Sequence, residues 1–277
     1  MYKPLSSMLI EIDHIDTDIR SFLNQIGVIF KIFDHQDSGC VSYGVETGNQ
    51  RWFVKESSEP RTLESLRRAI VLHSRVQHPA LPRLHNTFKT SDNGLALVYD
   101  WLPGEIIYDI PDFLGQEGRR DPKSTRTRFC ALPVEKIIAA LNTIYDLHRV
   151  LAVAGFIAVD FYDGCILYDF EAETTYVIDL DEYRPGPFLN PMDRLFGSSR
   201  FMAPEEFQRG ARIDQITNIF TMGRTALEFL ADGNIHNWRG STPAKIVVEK
   251  ATQLDRTARY PSRADFVDAW ESALDQG

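Results

Sequence analysis

The sequence predicts an α+β protein of two lobes, rich in strands up to about residue 100 and rich in helices beyond it. Three observations carry that prediction. Short β-branched and aromatic segments separated by glycine turns fill residues 28–55. Apolar residues recur every three or four positions at Val134, Ile137, Ile138, Leu141, Ile144 and Tyr145, the stripe of an amphipathic helix. Residues 216–230 are apolar nearly all round, the pattern of a helix buried on every side.

Taken in order, residues 1–25 alternate apolar and acidic side chains (Leu9-Ile10-Glu11-Ile12-Asp13), and read either as an extra strand or as a helix packed on the first lobe. Residues 28–33, 41–46 and 51–55 are expected strands, and turns at Gly39 and Thr47-Gly48-Asn49 make them consecutive hairpins. Leu63, Leu66, Ile70 and Val76 predict a helix over 61–76, which His78-Pro79 stops. Residues 95–99 form another apolar strand. Residues 116–127 are polar and basic, the composition of an exposed loop. After the helix that starts near Val134 come short strands at 165–168 and 175–178, the buried helix at 216–230 and a last helix over 261–274. The expected division is a first lobe of residues 1–100, with an extension over 1–26, and a second lobe of residues 101–277.

The 277 residues carry a net charge of -9 and a pI near 5.3, which argues against nucleic acid as a partner. No apolar run approaches the roughly 20 residues of a membrane helix. Met1 to Ile15 holds one lysine and has acids within its apolar stretch, unlike a signal peptide. Cys40, Cys130 and Cys165 are too few and too dispersed for a disulfide framework or a zinc site. The expected setting is a reducing cytoplasm, without a membrane partner.

Lys55 ends the β-rich stretch Trp52-Phe53-Val54-Lys55, where an ammonium can hold a phosphate as a point charge. Asp160 precedes one short strand and Asp179 directly follows another. Two carboxylates at neighbouring strand ends can converge, one to orient a hydroxyl and take its proton, the other to bind Mg²⁺ through hard oxygens. Aspartates at strand ends also satisfy turns, so neither position speaks alone. Ala203-Pro204-Glu205 opens a turn in which Glu205 and Glu206 suit a first helical turn.

The order of these pieces resembles the protein kinase superfamily from about Val28 to the C-terminus. Lys55 is similar to the strand-three lysine, His78-Pro79-Ala80-Leu81 to the stretch after the αC helix, and Leu97 to Gly104 to the hinge. Asp160 resembles the catalytic-loop aspartate, and Asp179 the aspartate of the Asp-Phe-Gly motif. Gly197-Ser198-Ser199-Arg200-Phe201-Met202-Ala203-Pro204-Glu205 resembles the end of an activation segment. Residues 218–223 look like the start of the αF helix, and residues 255–262 like the stretch carrying the arginine that pairs with the Ala-Pro-Glu glutamate. The resemblance implies ATP and Mg²⁺ as cofactors, with Asp160 and Lys55 as catalytic groups. It further implies Gly39, Val41, Lys55, Tyr99, Asp100 and Leu102 around the nucleotide, Asp179 and Asp181 on the metal, and a Glu205–Arg259 ion pair. The acceptor would be a hydroxyl of an unidentified protein or small molecule.

Several positions depart from that pattern. Asp34 and Gln36 fall where the first two glycines of the phosphate loop would be, and Ala69 where the αC glutamate would be, with Glu64 on another face. Phe53 replaces a small residue beside the base. Ala158 and Val159 replace the His-Arg before the catalytic aspartate, Cys165 the metal-binding asparagine, and Asn218 the αF aspartate, with Asp214 one turn earlier. Asp163 or Asp181 is a candidate for the missing oxygen. Three readings follow: a serine/threonine-kinase-like phosphotransferase, a pseudokinase serving as a binding scaffold, and a small-molecule kinase resembling choline kinases or aminoglycoside phosphotransferases through Asp179-Leu180-Asp181.

Overall fold

The computed structural model describes residues 5–34, 38–108 and 121–276. The chain is α+β and divides into two compact units, residues 1–77 with 82–102, and residues 78–81 with 103–277. The reading from sequence put all of 78–81 in the first lobe. These four residues belong to the second unit because the Val177 amide donates to the Ala80 carbonyl (2.8 Å) and His78 Nε2 lies 3.0 Å from Asp146 Oδ2.

The first unit is built on an antiparallel sheet of β1 (Val28–Phe33), β2 (Val41–Thr47), β3 (Gln50–Ser57), β4 (Leu84–Lys89) and β5 (Leu95–Asp100), in the order β1-β2-β3-β5-β4. The edge strand β4 was not expected, since Leu84 and Phe88 are its only apolar residues. Side chains alternate across the pleat. One face carries Tyr43, Val45, Trp52, Val54, Phe88, Ala96 and Val98, and the leading segment covers it.

That segment is helical. Asp18 caps α2 (Ile19–Ile26) by accepting from the Ser21 amide at 2.9 Å, and Ile19, Phe22, Leu23 and Ile26 recur at helical spacing into the core. Leu9 of α1 (Leu5–Glu11) joins them. The amide of Asn86 reaches back to the Leu9 and Ile12 carbonyls at 2.9 and 2.7 Å, which ties the extension to β4. On the opposite face, Leu66 and Ala69 of α3 (Pro60–Arg75) pack with Cys40, Leu97 and Tyr99. The sheet is therefore covered by helices on both sides.

The second unit is mostly helical: α4 (Thr125–Cys130), α5 (Val134–Val153), α6 (Gln215–Ala231), α7 (Thr242–Ala251) and α8 (Arg263–Asp275). Fourteen of the seventeen residues of α6 are buried, as the all-round apolar pattern requires. Short strands β6 (Glu105–Ile106), β8 (Ile166–Asp169) and β9 (Thr174–Val177) form a small sheet, while β7 (Phe156–Ile157) pairs with β10 (Arg184–Pro185). The expected exposed loop over 116–127 needs correcting. Residues 116–120 lie outside the described residues, but Ser124 caps α4 and Arg126 is buried, because Glu228 and Asp232 receive its guanidinium at 3.1 and 2.8 Å. Among the described residues no helix is long and apolar enough to cross a membrane.

Leu23 is fully buried between α2 and the sheet. Replacing Leu23 by Ala should destabilise the first unit by about 2–5 kcal/mol, read by urea unfolding. A loss under about 0.5 kcal/mol, the range of surface substitutions, would show that the extension is only loosely attached.

Candidate functional site

In the first unit, Phe53 and Lys55 lie two residues apart on β3 and project from the same face, with Lys55 buried. The β2–β3 register places Ser42 opposite Lys55 and Gly44 opposite Phe53. Val41 stands opposite Glu56 and packs with Trp52 and Val54 on the other face. The expectation that Val41 and Lys55 share a nucleotide face is therefore corrected, because a shift of one residue inverts every side chain of a strand. Counting forward from Gly39 led to Val41. Counting back from the Thr47–Gln50 turn pair leads to Ser42, which is fully buried with its hydroxyl unpartnered among the described residues.

The Lys55 face is lined with aromatic rings. The Phe53 centroid lies 6.0 Å from Phe33 and 6.4 Å from both Tyr99 and Trp101, and Phe30 meets Trp101 edge-on at 4.7 Å. Gly44 makes this possible: a Cβ there would come within 2.7 Å of Phe30 and 2.8 Å of Trp101. Gly39 takes left-handed backbone (φ +74°) in the β1–β2 turn, and its carbonyl accepts from Ser57 Oγ at 2.8 Å. Asp34 is exposed, and Gln36 lies outside the described residues. Tyr99 is buried against His73, whose imidazole burial pushes down to about 4 and so keeps neutral. Asp100 is held by His85 at 2.7 Å, its amide donates to Arg83, and the half-buried Leu102 follows at the end of the unit. Ala69 is buried, while Glu64 is largely exposed and pairs with Arg68 (3.3 Å), so the wrong-face assignment of Glu64 holds.

In the second unit, Asp160 and Asp179 both take left-handed backbone, φ +63° and +61°. The other described non-glycine residues with positive φ are Asn93, Glu173 and Asp232, which lie in turns or cap a helix. Asp160 and Asp179 flank one buried residue, Cys165. Its thiol donates to the Asp160 carbonyl at 3.2 Å, and its own carbonyl accepts from the Ile178 amide at 2.8 Å, directly before Asp179. Burial and then the charges of Asp179 and Asp160 push the Cys165 thiol well above its usual range. The Tyr162 phenol is raised by burial first, then by Cys165, Asp160 and Asp179. Both carboxylates thus act on the same two side chains.

Asp179 is exposed, Asp160 half-buried and Asp181 buried. No cluster of three or more His, Cys, Asp or Glu side chains converges among the described residues. Mg²⁺ needs no such cage, since one or two carboxylates with phosphate and water oxygens suffice, and Asp179 is an exposed carboxylate. Asp163 is not: it is fully buried and both its oxygens accept from Arg200, at 2.7 and 2.9 Å. The suggestion that Asp163 replaces the oxygen missing at Cys165 is therefore corrected.

The loop before Asp160 is anchored by Asn218. Its side-chain oxygen accepts from the Ala158 amide and its nitrogen donates to the Ala158 carbonyl, each at 2.8 Å. Asparagine provides both donor and acceptor, which aspartate cannot. Asp214 plays no such part, because it caps α6 and pairs with Arg256 at 2.7 Å. Val159 packs with Ile157, Leu195, Met202 and Ile213.

The segment 197–205 begins beside Asp160, where a Cβ on Gly197 would lie 3.6 Å from the Asp160 Cα. It ends at the Glu205–Arg259 pair, whose two bonds of 2.7 and 3.0 Å are buried. Burial alone would raise the Glu205 pKa, but the Arg259 fork holds it below the ordinary carboxylate value. Glu206 has no such partner among the described residues. Burial pushes it up to about 8, although its carboxyl accepts from the Ala203 amide at 2.6 Å.

No protein-family model matches the chain, and no curated protein matches it either.

The raised carboxyl of Glu206 has a measurable consequence. Its folded pKa near 8 exceeds the ordinary 4.5, so the folded state binds the extra proton across that window. Stability should fall as pH rises from 4.5 to 8, by up to about 1.4 kcal/mol per pH unit from this group. Glu206→Gln should lack that component, so its stability relative to wild type should grow steadily through pH 5.5, 6.5 and 7.5 in urea unfolding. Parallel profiles for the two proteins would mean the carboxyl is already ionised in the fold.

Proposed function

We propose that the chain is an ATP- and Mg²⁺-dependent phosphotransferase of protein-kinase type, acting on a hydroxyl of a protein or small molecule. The observation that carries this reading is the pair Asp160 and Asp179, held on left-handed backbone at either side of Cys165. Non-glycine residues in that region cost of order 1 kcal/mol or more and cluster at functional sites. When bound, Mg²⁺-ATP supplies the transferable phosphoryl group and its countercharge. The remaining requirements fall on side chains of this chain. Asp160 orients the acceptor hydroxyl and takes its proton. Asp179, with Asp181 two residues on, provides hard oxygen for the metal. Lys55 meets phosphate as a point charge, and the Phe53 and Trp101 rings offer a flat apolar surface to a base.

One observation favours a second reading, a nucleotide-binding module without turnover. Cys165 offers sulfur where oxygen is needed, and Asp163 is consumed by Arg200. Thermal unfolding with ATP, with and without Mg²⁺, separates the readings when combined with ATP turnover against protein and small-alcohol acceptors. The phosphotransferase should gain thermal stability from Mg²⁺-ATP. Asp160→Asn should keep that gain and lose turnover by about 100-fold or more. Stabilisation with no Asp160-dependent turnover on any acceptor would favour the binding module. No stabilisation at millimolar nucleotide would refute both.

A further inference from the structure

We infer that Arg200 is a positioning residue, latching the 197–205 segment onto the loop of Asp160 so that an internal ion pair, with no covalent modification, sets the site's geometry. The inference rests on the phosphotransferase reading for its consequence, but the latch itself is geometric.

Arg200 Nη2 lies 2.7 Å from Asp163 Oδ1 and Nη1 lies 2.9 Å from Asp163 Oδ2, a two-pronged contact that fixes both position and orientation. Nη1 also reaches Glu228 Oε2 of α6 at 3.1 Å. The guanidinium stands over the rings of Tyr108 and Phe201, 5.0 and 4.9 Å from their centroids. The Arg200 carbonyl accepts from Arg224 Nε at 2.6 Å, so backbone and side chain are both held. Arg126 approaches the same acids, 3.1 Å from Glu228 and 3.7 Å from Asp163, and pairs with Asp232 at 2.8 Å. Arg126, Arg200 and Arg224 thus face Asp163, Glu228 and Asp232, a set whose formal charges cancel.

Burial makes this arrangement specific. Asp163 is fully buried and Glu228 nearly so, and a carboxylate in such a place is tolerable only when matched by charge and hydrogen bonds. The segment therefore meets the loop at two points, Gly197 beside Asp160 and Arg200 on Asp163. Asp163 lies three positions after Asp160, and the Cys165 thiol closes the turn onto the Asp160 carbonyl. Removing the fork frees one end of that turn and misplaces the proton acceptor without touching the nucleotide face of the first unit. In an ordinary phosphorylation switch an arginine waits for an added phosphate. Here the segment brings the arginine and the loop brings a permanent carboxylate.

The test compares wild type with Arg200→Lys, Arg200→Gln, Asp163→Asn and the Arg200→Gln/Asp163→Asn double variant, by steady-state kinetics and by amide hydrogen exchange of residues 160–165 and 197–205. A misplacement of about 1 Å costs on the order of 100-fold, so Arg200→Gln should lower kcat by about 10- to 100-fold. The KM for ATP should stay within about twofold. Lysine keeps the charge without the fork, so Arg200→Lys should recover part of the loss. The double variant should be no worse than the more damaging single one, because both remove the same contact. Exchange should rise in the two segments while α6 and α8 stay protected. Phosphatase-treated wild type, checked by mass spectrometry, should keep its turnover. Loss of turnover on phosphatase treatment would overturn the latch, as would equal changes in kcat and KM, or Arg200→Gln exchange identical to wild type. If wild type shows no turnover, the functional reading fails, and the exchange comparison alone decides the latch.

Discussion

Helix α6 carries polar side chains into the middle of the second unit, and each has to find a partner there. Asn218, Thr225 and Glu228 are essentially inaccessible to water. An unmatched hydrogen-bonding group in such a place costs about 1–3 kcal/mol, and an unmatched charge more. Thr225 solves the problem within the helix by donating to the Thr221 carbonyl at 2.8 Å. Glu228 finds one partner within the helix, Arg224 at 3.1 Å, but its second oxygen and Asn218 are met by other parts of the chain. Ala158 comes to Asn218 with both its amide and its carbonyl, and Arg126 and Arg200 come to Glu228. The Tyr145 hydroxyl reaches the Met222 carbonyl at 2.9 Å. The positions of the loop before Asp160 and of the segment after Gly197 are therefore consequences of what one helix buries.

The first unit answers a different constraint, that of volume. Phe53 is large for a residue on the face that carries Lys55. Its directly paired neighbour on β2 is Gly44, and the missing side chain leaves room for Phe30 and Trp101. Interior packing is dense enough that one added methyl group would have to displace a ring. Phe53 is therefore part of a surface in which β2 contributes no bulk at Gly44 and the rings of the flanking strands and Trp101 fill the space. On the opposite face, α1 and α2 fill the remaining apolar surface, which makes the extension part of this unit's core.

Much of the fold was legible because its signals are periodic and local. The β-rich segments and glycine turns of β1, β2 and β3, the stripe of α5 and the nearly all-round apolar character of α6 need only neighbouring residues to be recognised. The strand β4 and the helix α4 were missed because what stabilises them is distant in sequence. Asn86 is fixed by the leading segment and Arg126 by Glu228 and Asp232. In the candidate site, the Glu205–Arg259 pair was expected only through the resemblance to kinases, and the two side chains do pair. The face of Val41 was not legible, because strand parity depends on which end of the hairpin the count begins from. Asp163 read as an available ligand for a similar reason: nothing near it in sequence announces Arg200.

Cys165 is a structural donor whose side chain offers no hard oxygen. A buried thiol between two carboxylates stays protonated, since a third negative charge there would be repelled and unsolvated. A neutral thiol is a poor ligand for Mg²⁺, which prefers oxygen. It is still a donor, and it spends its proton on the Asp160 carbonyl. Its backbone carbonyl holds Ile178 and so sets where Asp179 begins. Cys165 thus preserves the spacing of the two aspartates while contributing no oxygen between them. Under the proposed phosphotransferase reading, hard ligands would have to come from the Asp179–Asp181 side, while the loop geometry rests on Asn218, Cys165 and Arg200.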